Sequence, residues 1–238
     1  MSFELKESEF YDSVYVKKDY QEEAAQILRW LPEHTKILDV GCGTGKHALA
    51  WEKMGHEVVG IEPSHDMAIK ASENGFKKIQ LTEIENMNTE FFGEYFDAVV
   101  AMFDVMDYLI DFPVYTKAIQ KISSVLKPGG LLFLEGWNKE TMPARFEHIR
   151  EIYFFQKGVR YARVGETLYD DKTGVFHVHY GFYRNLGFKE RELICESDHF
   201  LKPRLGGKQT NKFLESFGYE IRDQWEDDYS VRLILKKK

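Results

Sequence analysis

The 238-residue sequence predicts an α/β fold: a doubly wound, mostly parallel sheet of seven strands, with an antiparallel β-sheet added after the fifth strand. Three observations predict it. Short apolar runs alternate with amphipathic helical stretches as far as residue 138, a glycine-rich turn directly follows the first run, and from about residue 152 the pattern changes to segments of alternating polarity joined by turns. Parallel strands linked through helices place ligands at the carboxyl ends of the strands, so candidate residues are sought there.

Taken in order, Asp19–Leu31 carries Ala24, Ile27, Leu28 and Leu31 on one side and Glu22, Glu23 and Gln26 elsewhere, an amphipathic helix stopped by Pro32. Lys36–Val40 (KILDV) is the first strand and His47–Met54 a helix closed by Gly55. His56–Ile61 (HEVVGI) is the second strand, followed by a helix over Ser64–Asn74 with Gly75 as its cap. Lys78–Leu81 and Tyr95–Phe103 read as the third and fourth strands, Val114–Leu126 as a helix, and Leu131–Trp137 as the fifth strand after a turn at Lys127–Gly130. The antiparallel addition comprises Ile152–Phe155, Val159–Glu166, Gly174–Tyr183 and Lys189–Phe200, with turns at Asp170–Gly174 and Asn185–Gly187. A helix over Thr210–Phe217 and a hairpin of Tyr219–Trp225 with Ser230–Leu235 complete the main sheet, leaving Lys236–Lys238 as a frayed end. The expected division is 1–138 as the core with an N-terminal lid helix, 139–209 as the β insertion, and 210–238 as the closing helix and hairpin.

Composition narrows the function classes. Thirty-two Lys and Arg against 39 Asp and Glu give a net charge of −7, with no basic face for nucleic acid. No stretch approaches a membrane span, and the first twenty residues are too charged for a secretory signal. Cys42 and Cys195 are far apart and match no metal spacing, so a reducing cytoplasm and no metal are expected. A soluble enzyme acting on a small molecule fits these constraints.

The stretch Asp39–Gly45 (DVGCGTG) carries the chemistry. Gly41, Gly43 and Gly45 allow a sharp turn and a close backbone approach to a ligand. Their G-x-G-x-G spacing is one residue shorter than the G-x-G-x-x-G of a dinucleotide site, and an acid, Asp39, precedes it. That acid suits an ammonium or sulfonium group better than a pyrophosphate. Glu62, ending the second strand beside Pro63, is placed to accept both hydroxyl hydrogens of a ribose.

These residues, with VVGIEPS (58–64), FDAVVAMF (96–103) and LKPGGLLFLE (126–135), resemble the class I S-adenosylmethionine-dependent methyltransferases. The resemblance implies that the methionine end of the donor lies along Asp39–Gly45, Cys42 included, and the ribose on Glu62. It puts the adenine beside Glu83 with Ile84 flanking the ring, and Met102 and Phe103 against the methionine portion. Outside the core, FYDSVYVKKDY (10–20), MFDVMDYL (102–109), LEGWN (134–138) and FHVHYGF (176–182) are similar to the nucleotide-linked amino-sugar N-methyltransferases of the desosamine and mycaminose type. That similarity implies Tyr15 near the transferred methyl, with Tyr108, Trp137 and His179 lining the acceptor site. The stretch KISSVLKPGG (121–130) lacks the histidine those relatives carry before the turn, so their base does not transfer to this chain.

The acceptor is argued from the residues around it. A sugar amine must lose a proton before attack, and Asp104 or Asp107, after the fourth strand, could orient the ammonium and take that proton; either could instead cap the next turn. His177 and His179 share one face of a strand with tyrosines nearby, and either could be catalytic or substrate-binding. Lys139, Arg145, Arg160, Arg163 and Arg204 are the cations on segments that could meet a diphosphate, and the sequence singles out none. The added sheet offers a pairing face for a homodimer. A glycine- or amine-type N-methyltransferase, a metabolite O-methyltransferase and a donor-binding regulatory module are the competing readings.

Overall fold

A computed structural model describes residues 6–92, 95–187 and 190–238. The chain divides into two compact units, Asp19–Arg145 with Pro203–Lys238, and Met1–Lys18 with Phe146–Lys202.

The first unit holds the mixed sheet. Its strands are β1 (Lys36–Val40), β2 (Glu57–Glu62), β3 (Ile79–Leu81), β4 (Phe96–Ala101), β5 (Leu126–Trp137), β10 (Tyr219–Glu226) and β11 (Ser230–Lys237), ordered β10-β11-β5-β4-β1-β2-β3. The first five pair in parallel, while β11 runs antiparallel to both β5 and β10. Adjacent residues of β1 show why two layers of helices form. Ile37 joins Ala48, Trp51, Val58 and Val100 on one face, and Leu38 joins Val99, Ile119, Ile122 and Leu132 on the other. Helices α2 (Tyr20–Leu28), α3 (Lys46–Lys53) and α4 (His65–Asn74) supply Ala24, Trp51 and Ala71 to the first layer. The second layer draws on α5 (Phe112–Val125) and α7 (Gly207–Ser216).

Element ends follow local chemistry. Asp19 caps α2, its Oδ1 accepting from the backbone N–H groups of Gln21 at 3.1 Å and Glu22 at 2.9 Å. The helix ends at Leu28, earlier than the expected Leu31. Helix α5 starts at Phe112, two residues before its expected start, because Pro113 suits a first helical turn. The turn expected at Lys127–Gly130 is absorbed into β5 as an irregularity: Phe96 pairs with Leu126 and Ala98 with Leu131. A short helix, α6 (Met142–Arg145), precedes the unit boundary. Among the described residues no helix is long and apolar enough to cross a membrane.

The second unit is a four-stranded antiparallel sheet, β6 (Ile149–Gln156), β7 (Val159–Asp170), β8 (Val175–Asn185) and β9 (Arg191–Leu201), in sequential order. Lys189, where the last of these was expected to start, lies outside the described residues. Helix α1 (Glu7–Val14), which the pattern reading leaves unassigned, packs on this sheet: Phe10 stacks on Phe182 with centroids 5.4 Å apart and meets Tyr161 at 5.0 Å. That aromatic anchor explains why residues 6–18 group with this sheet and not with the parallel core.

Gly60 on β2 tests the packing of the first layer. A Cβ there would lie 2.6 Å from Cys42 Sγ and 2.9 Å from Phe76 Cε1. Gly60→Ala is expected to lower stability by about 1–3 kcal/mol, read as a reduced urea midpoint at unchanged slope.

Candidate functional site

The carboxyl ends of β1 and β2 build the centre of the site. Asp39 and Gly60 are register partners, so Asp39 near the end of β1 and Glu62 at the end of β2 flank the same loop. Both acids are buried, at 5% and 6% exposure, which is rare for carboxylates without cationic partners. Glu62 is anchored through both oxygens: Oε2 accepts from Gly43 N at 2.9 Å and Oε1 from Ser64 N at 2.8 Å. Burial raises its carboxyl above the usual range, and those two bonds oppose the rise. Asp39 has no such relief, since among the described residues its buried Oδ2 finds no hydrogen-bond donor. Burial first, and the negative charge of Glu62 second, push its carboxyl up to about 7.

The loop between them explains its glycines. Gly41, at φ 68°, is approached so closely by Val105 that a Cβ would sit 2.1 Å from Val105 Cγ2. Gly43, at φ 53°, faces open space instead, with nothing within 4 Å of a Cβ. The turn is fastened from below, where the N–H groups of Gly41 and Cys42 both donate to the carbonyl of Ile61, at 2.8 and 3.1 Å. Cys42 does not present its side chain to a ligand. Its sulfur lies against Gly60 in the core and burial holds its thiol far above the usual range, so only its backbone belongs to the loop.

Beyond β2, Pro63 is exposed beside Glu62. Glu83 is exposed at the start of the 3₁₀ turn Ile84–Asn86, its Oε2 accepting from Asn86 Nδ2 at 2.8 Å. Ile84 is buried in the core cluster that includes Leu38 and Met87, where the apolar position of that turn closes the second layer.

The end of β4 is strained. Met102 is buried, and the next two residues, Phe103 and Asp104, both hold left-handed backbone, at φ 57° and 58°. Each such non-glycine conformation costs about 1–2 kcal/mol and persists only where neighbours impose it. Glu135 accepts from Phe103 N at 3.3 Å, and the carbonyl of Asp104 accepts from Asp107 N at 2.8 Å. Asp107 itself corrects an expectation. It is fully buried, with Oδ2 accepting from Trp137 N at 2.8 Å and Oδ1 from Arg204 N at 3.3 Å. A base must reach its substrate, and this carboxylate is spent on holding three chain segments together. Its carboxyl is held well above the ordinary range by burial and by the charge of Asp104. Half-buried Asp104 and exposed Tyr108 sit on the same turn, and half-buried Trp137 ends β5.

The other sequence-predicted residues belong to the antiparallel unit. Tyr15 follows α1 and its hydroxyl accepts from Arg163 Nη1 at 3.2 Å. His177 Nε2 lies 2.7 Å and His179 Nδ1 3.0 Å from Asp198 Oδ1, while His179 Nε2 lies 3.3 Å from Glu196 Oε1. The hydrogen bond to Asp198 raises the imidazole of His179 above its ordinary value. Among the described residues no three His, Cys, Asp or Glu side chains converge as metal ligands. Two residues next to the glycine loop and the strained turn escape pattern reading. His47 packs its ring on Tyr20 and Phe103 at 4.9 and 5.7 Å while its Nε2 meets Glu23 at 2.8 Å. Glu135 joins Phe103 N to Arg232 Nε, the latter at 2.8 Å.

Residues 37–130 match a family described as methyltransferase domain. Over 143 residues the chain is 32% identical to the dTDP-3-amino-3,4,6-trideoxy-alpha-D-glucopyranose N,N-dimethyltransferase of Streptomyces venezuelae, covering 57% of this chain and 59% of that one. The first relatives found by sequence are matched over 51–60% of their own length. Among solved structures, Streptomyces venezuelae DesVI superposes with a TM-score of 0.80 at 22% identity, over 97% of this chain and 99% of that one. SAM-bound CalS10, an amino pentose methyltransferase from Micromonospora echinaspora, superposes with a TM-score of 0.75 at 20% identity, over 96% of each chain. At these identities the superpositions establish a shared fold.

The raised carboxyl of Asp39 has a measurable consequence. Stability contributed by a carboxyl whose folded pKa exceeds its unfolded value is present at low pH and is lost as pH rises, here between about 3.8 and about 7. Asp39→Asn is therefore expected to melt above the native protein at pH 8 and to converge with it near pH 4 in thermal melts of the ligand-free chain.

Proposed function

We propose that this chain, whose residues 37–130 match a family described as methyltransferase domain, is an S-adenosylmethionine-dependent N-methyltransferase whose acceptor is the amino group of a nucleotide-linked deoxyamino sugar. The observation that carries the donor assignment is the buried pair Asp39 and Glu62, one oxygen of which lacks a donor. Two carboxylates flanking one loop repel a pyrophosphate and attract a group rich in N–H and O–H donors. An amino-acid-bearing adenosyl donor fits that set. It supplies, when bound, an electrophilic methyl group on a sulfonium.

The chain's own residues bind and orient. Asp39 Oδ2 accepts an N–H of the amino-acid end, and Glu62, with each oxygen already fixed by one backbone bond, keeps lone pairs for two vicinal hydroxyls. Gly43 leaves open the space a side chain would fill. Met102 and Phe103 shape the wall beside the reacting end, and Glu83 stands where the adenine edge is expected. With Asp107 withdrawn into the interior, Asp104 is the carboxylate of the loop assigned to orient the acceptor ammonium and take its proton. Acceptor contacts beside Asp104 are assigned to Tyr108 and Trp137 of the same unit, while Tyr15, His177 and His179 belong to the other. The name of the 32% identical Streptomyces venezuelae relative supports an amino sugar carried on a thymidine diphosphate. Free thiols at Cys42 and Cys195 support a cytoplasmic setting.

The decisive assay supplies methyl-labelled donor and dTDP-linked amino sugars to the purified chain and locates the label by mass spectrometry. Label on the sugar nitrogen is expected; label on oxygen, or saturation by NAD with no heat from S-adenosylhomocysteine, overturns the reading. Glu62→Ala is expected to weaken S-adenosylhomocysteine binding by about 1–3 kcal/mol in calorimetry, the penalty for hydroxyls left without their acceptor. Asp104→Asn is expected to lower kcat by roughly 10²–10⁴ with donor affinity retained.

A further inference from the structure

The antiparallel unit buries a guanidinium with few hydrogen-bond partners among the described residues. Arg163 on β7 is 7% exposed, and a buried guanidinium ordinarily finds carboxylates or several carbonyls for its five N–H groups. Among the described residues it has one hydrogen bond, from Nη1 to the Tyr15 hydroxyl, and no carboxylate within 4 Å. The nearby acid, Glu7, is turned to His199, with Oε2 at 3.1 Å from Nε2. Two rings hold the cation instead. Its central carbon lies 4.4 Å from the centroid of Tyr180 and 5.4 Å from that of Tyr15. Tyr180 is itself seated by its register partner Gly165, where a Cβ would come within 2.8 Å of the ring. The planar group is thus fixed edge and face, with most of its donors unspent. None of these nitrogens is among the fully enclosed polar atoms lacking a partner.

We infer that Arg163, held by Tyr15 and Tyr180 within the antiparallel unit, takes phosphate oxygens of a nucleoside diphosphate. This rests on the nucleotide-linked acceptor proposed above. A guanidinium edge matches two oxygens of a phosphate in one plane, which a lysine cannot reproduce. Tyr15 and Tyr180 supply the orientation: the rings fix the plane, and the bond to Tyr15 commits one nitrogen so that the others point to the ligand.

The test measures dTDP, inorganic pyrophosphate, succinate and S-adenosylhomocysteine binding by calorimetry on the full chain, Arg163→Met and Arg163→Lys. The expected result is a tenfold or greater loss of dTDP affinity in Arg163→Met, a smaller loss in Arg163→Lys, and S-adenosylhomocysteine affinity within twofold of native. Equal dTDP affinity in native and Arg163→Met overturns the inference, as does native protein that binds S-adenosylhomocysteine but no dTDP. Succinate binding tighter than dTDP with the same dependence on Arg163 overturns the phosphate assignment. Absence of S-adenosylhomocysteine binding in the native chain defeats the methyl-transfer reading instead, and loss of dTDP binding in Arg163→Met would still uphold the subsite. Should Arg163→Met not fold, dTDP is expected to shield Arg163 of the native chain from phenylglyoxal, mapped by mass spectrometry; unshielded modification overturns the inference.

Discussion

Two buried carboxylates at the ends of neighbouring strands set the terms for the parallel unit. Asp39 and Glu62 lie in the interior with no cation paired to them among the described residues, and the charge of Glu62 adds to the cost of ionising Asp39. The fold tolerates this because Glu62 receives two backbone N–H groups and because β1 and β2 are each paired on both sides. Asp39 keeps an unmet oxygen. A ligand that brings donors to that oxygen relieves a penalty set by the fold itself. The glycines then have distinct duties: Gly41 admits Val105, Gly43 leaves room for the ligand, and Gly45, at φ 75°, opens α3.

Asp107 applies the opposite logic, a carboxylate placed to be satisfied from within. It ties the turn after β4 to the end of β5 and to the chain returning at Arg204, and Gly136 leaves the space it fills, with a Cβ there only 3.1 Å from Oδ2. Arg204 adds to the seam by donating from its guanidinium to the carbonyls of Leu109 and Ile110. These bonds hold Phe103 and Asp104 in backbone conformations they would otherwise leave. The strain is therefore kept by this seam, and loosening Asp107 would release the loop that carries Asp104 and Tyr108.

Much of this was legible in the residues, and the parts that were not have identifiable causes. DVGCGTG, the following acid and the alternation of apolar runs with helical stretches located β1, β2, α3 and the loop between them, because spacing alone fixes which residues end a strand. The shorter loop also separated this site from a dinucleotide fold. Asp104 and Asp107 look alike in sequence, three residues apart on one turn; their difference is burial, which depends on Trp137 and Arg204, 30 and 97 residues away. Ile84 and Cys42 sit in ligand-facing motifs yet point inward, since one position of a short turn must close the core. Helix α1 is brief and its apolar face is chiefly Phe10, too little periodicity to register until the aromatic partners on β6–β8 are known. Arg163 was one of 32 cations, and only its enclosure by Tyr15 and Tyr180 distinguishes it.

The two units thus carry opposite unmet charges: anionic oxygen in one, cationic nitrogen in the other. A chain with net charge −7 repels a diphosphate at long range, so an anionic acceptor needs a cation whose field is not screened away. An exposed lysine would act mainly through that screened field, whereas a guanidinium seated between rings acts at short range in a medium of lower dielectric. The acidic surface and the buried arginine are compatible for this reason. The first discourages indiscriminate anions, and the second rewards only those able to enter and match its plane. The donor proposed for Asp39 and Glu62 would follow the same rule with the signs reversed, each ligand relieving the shortage it meets.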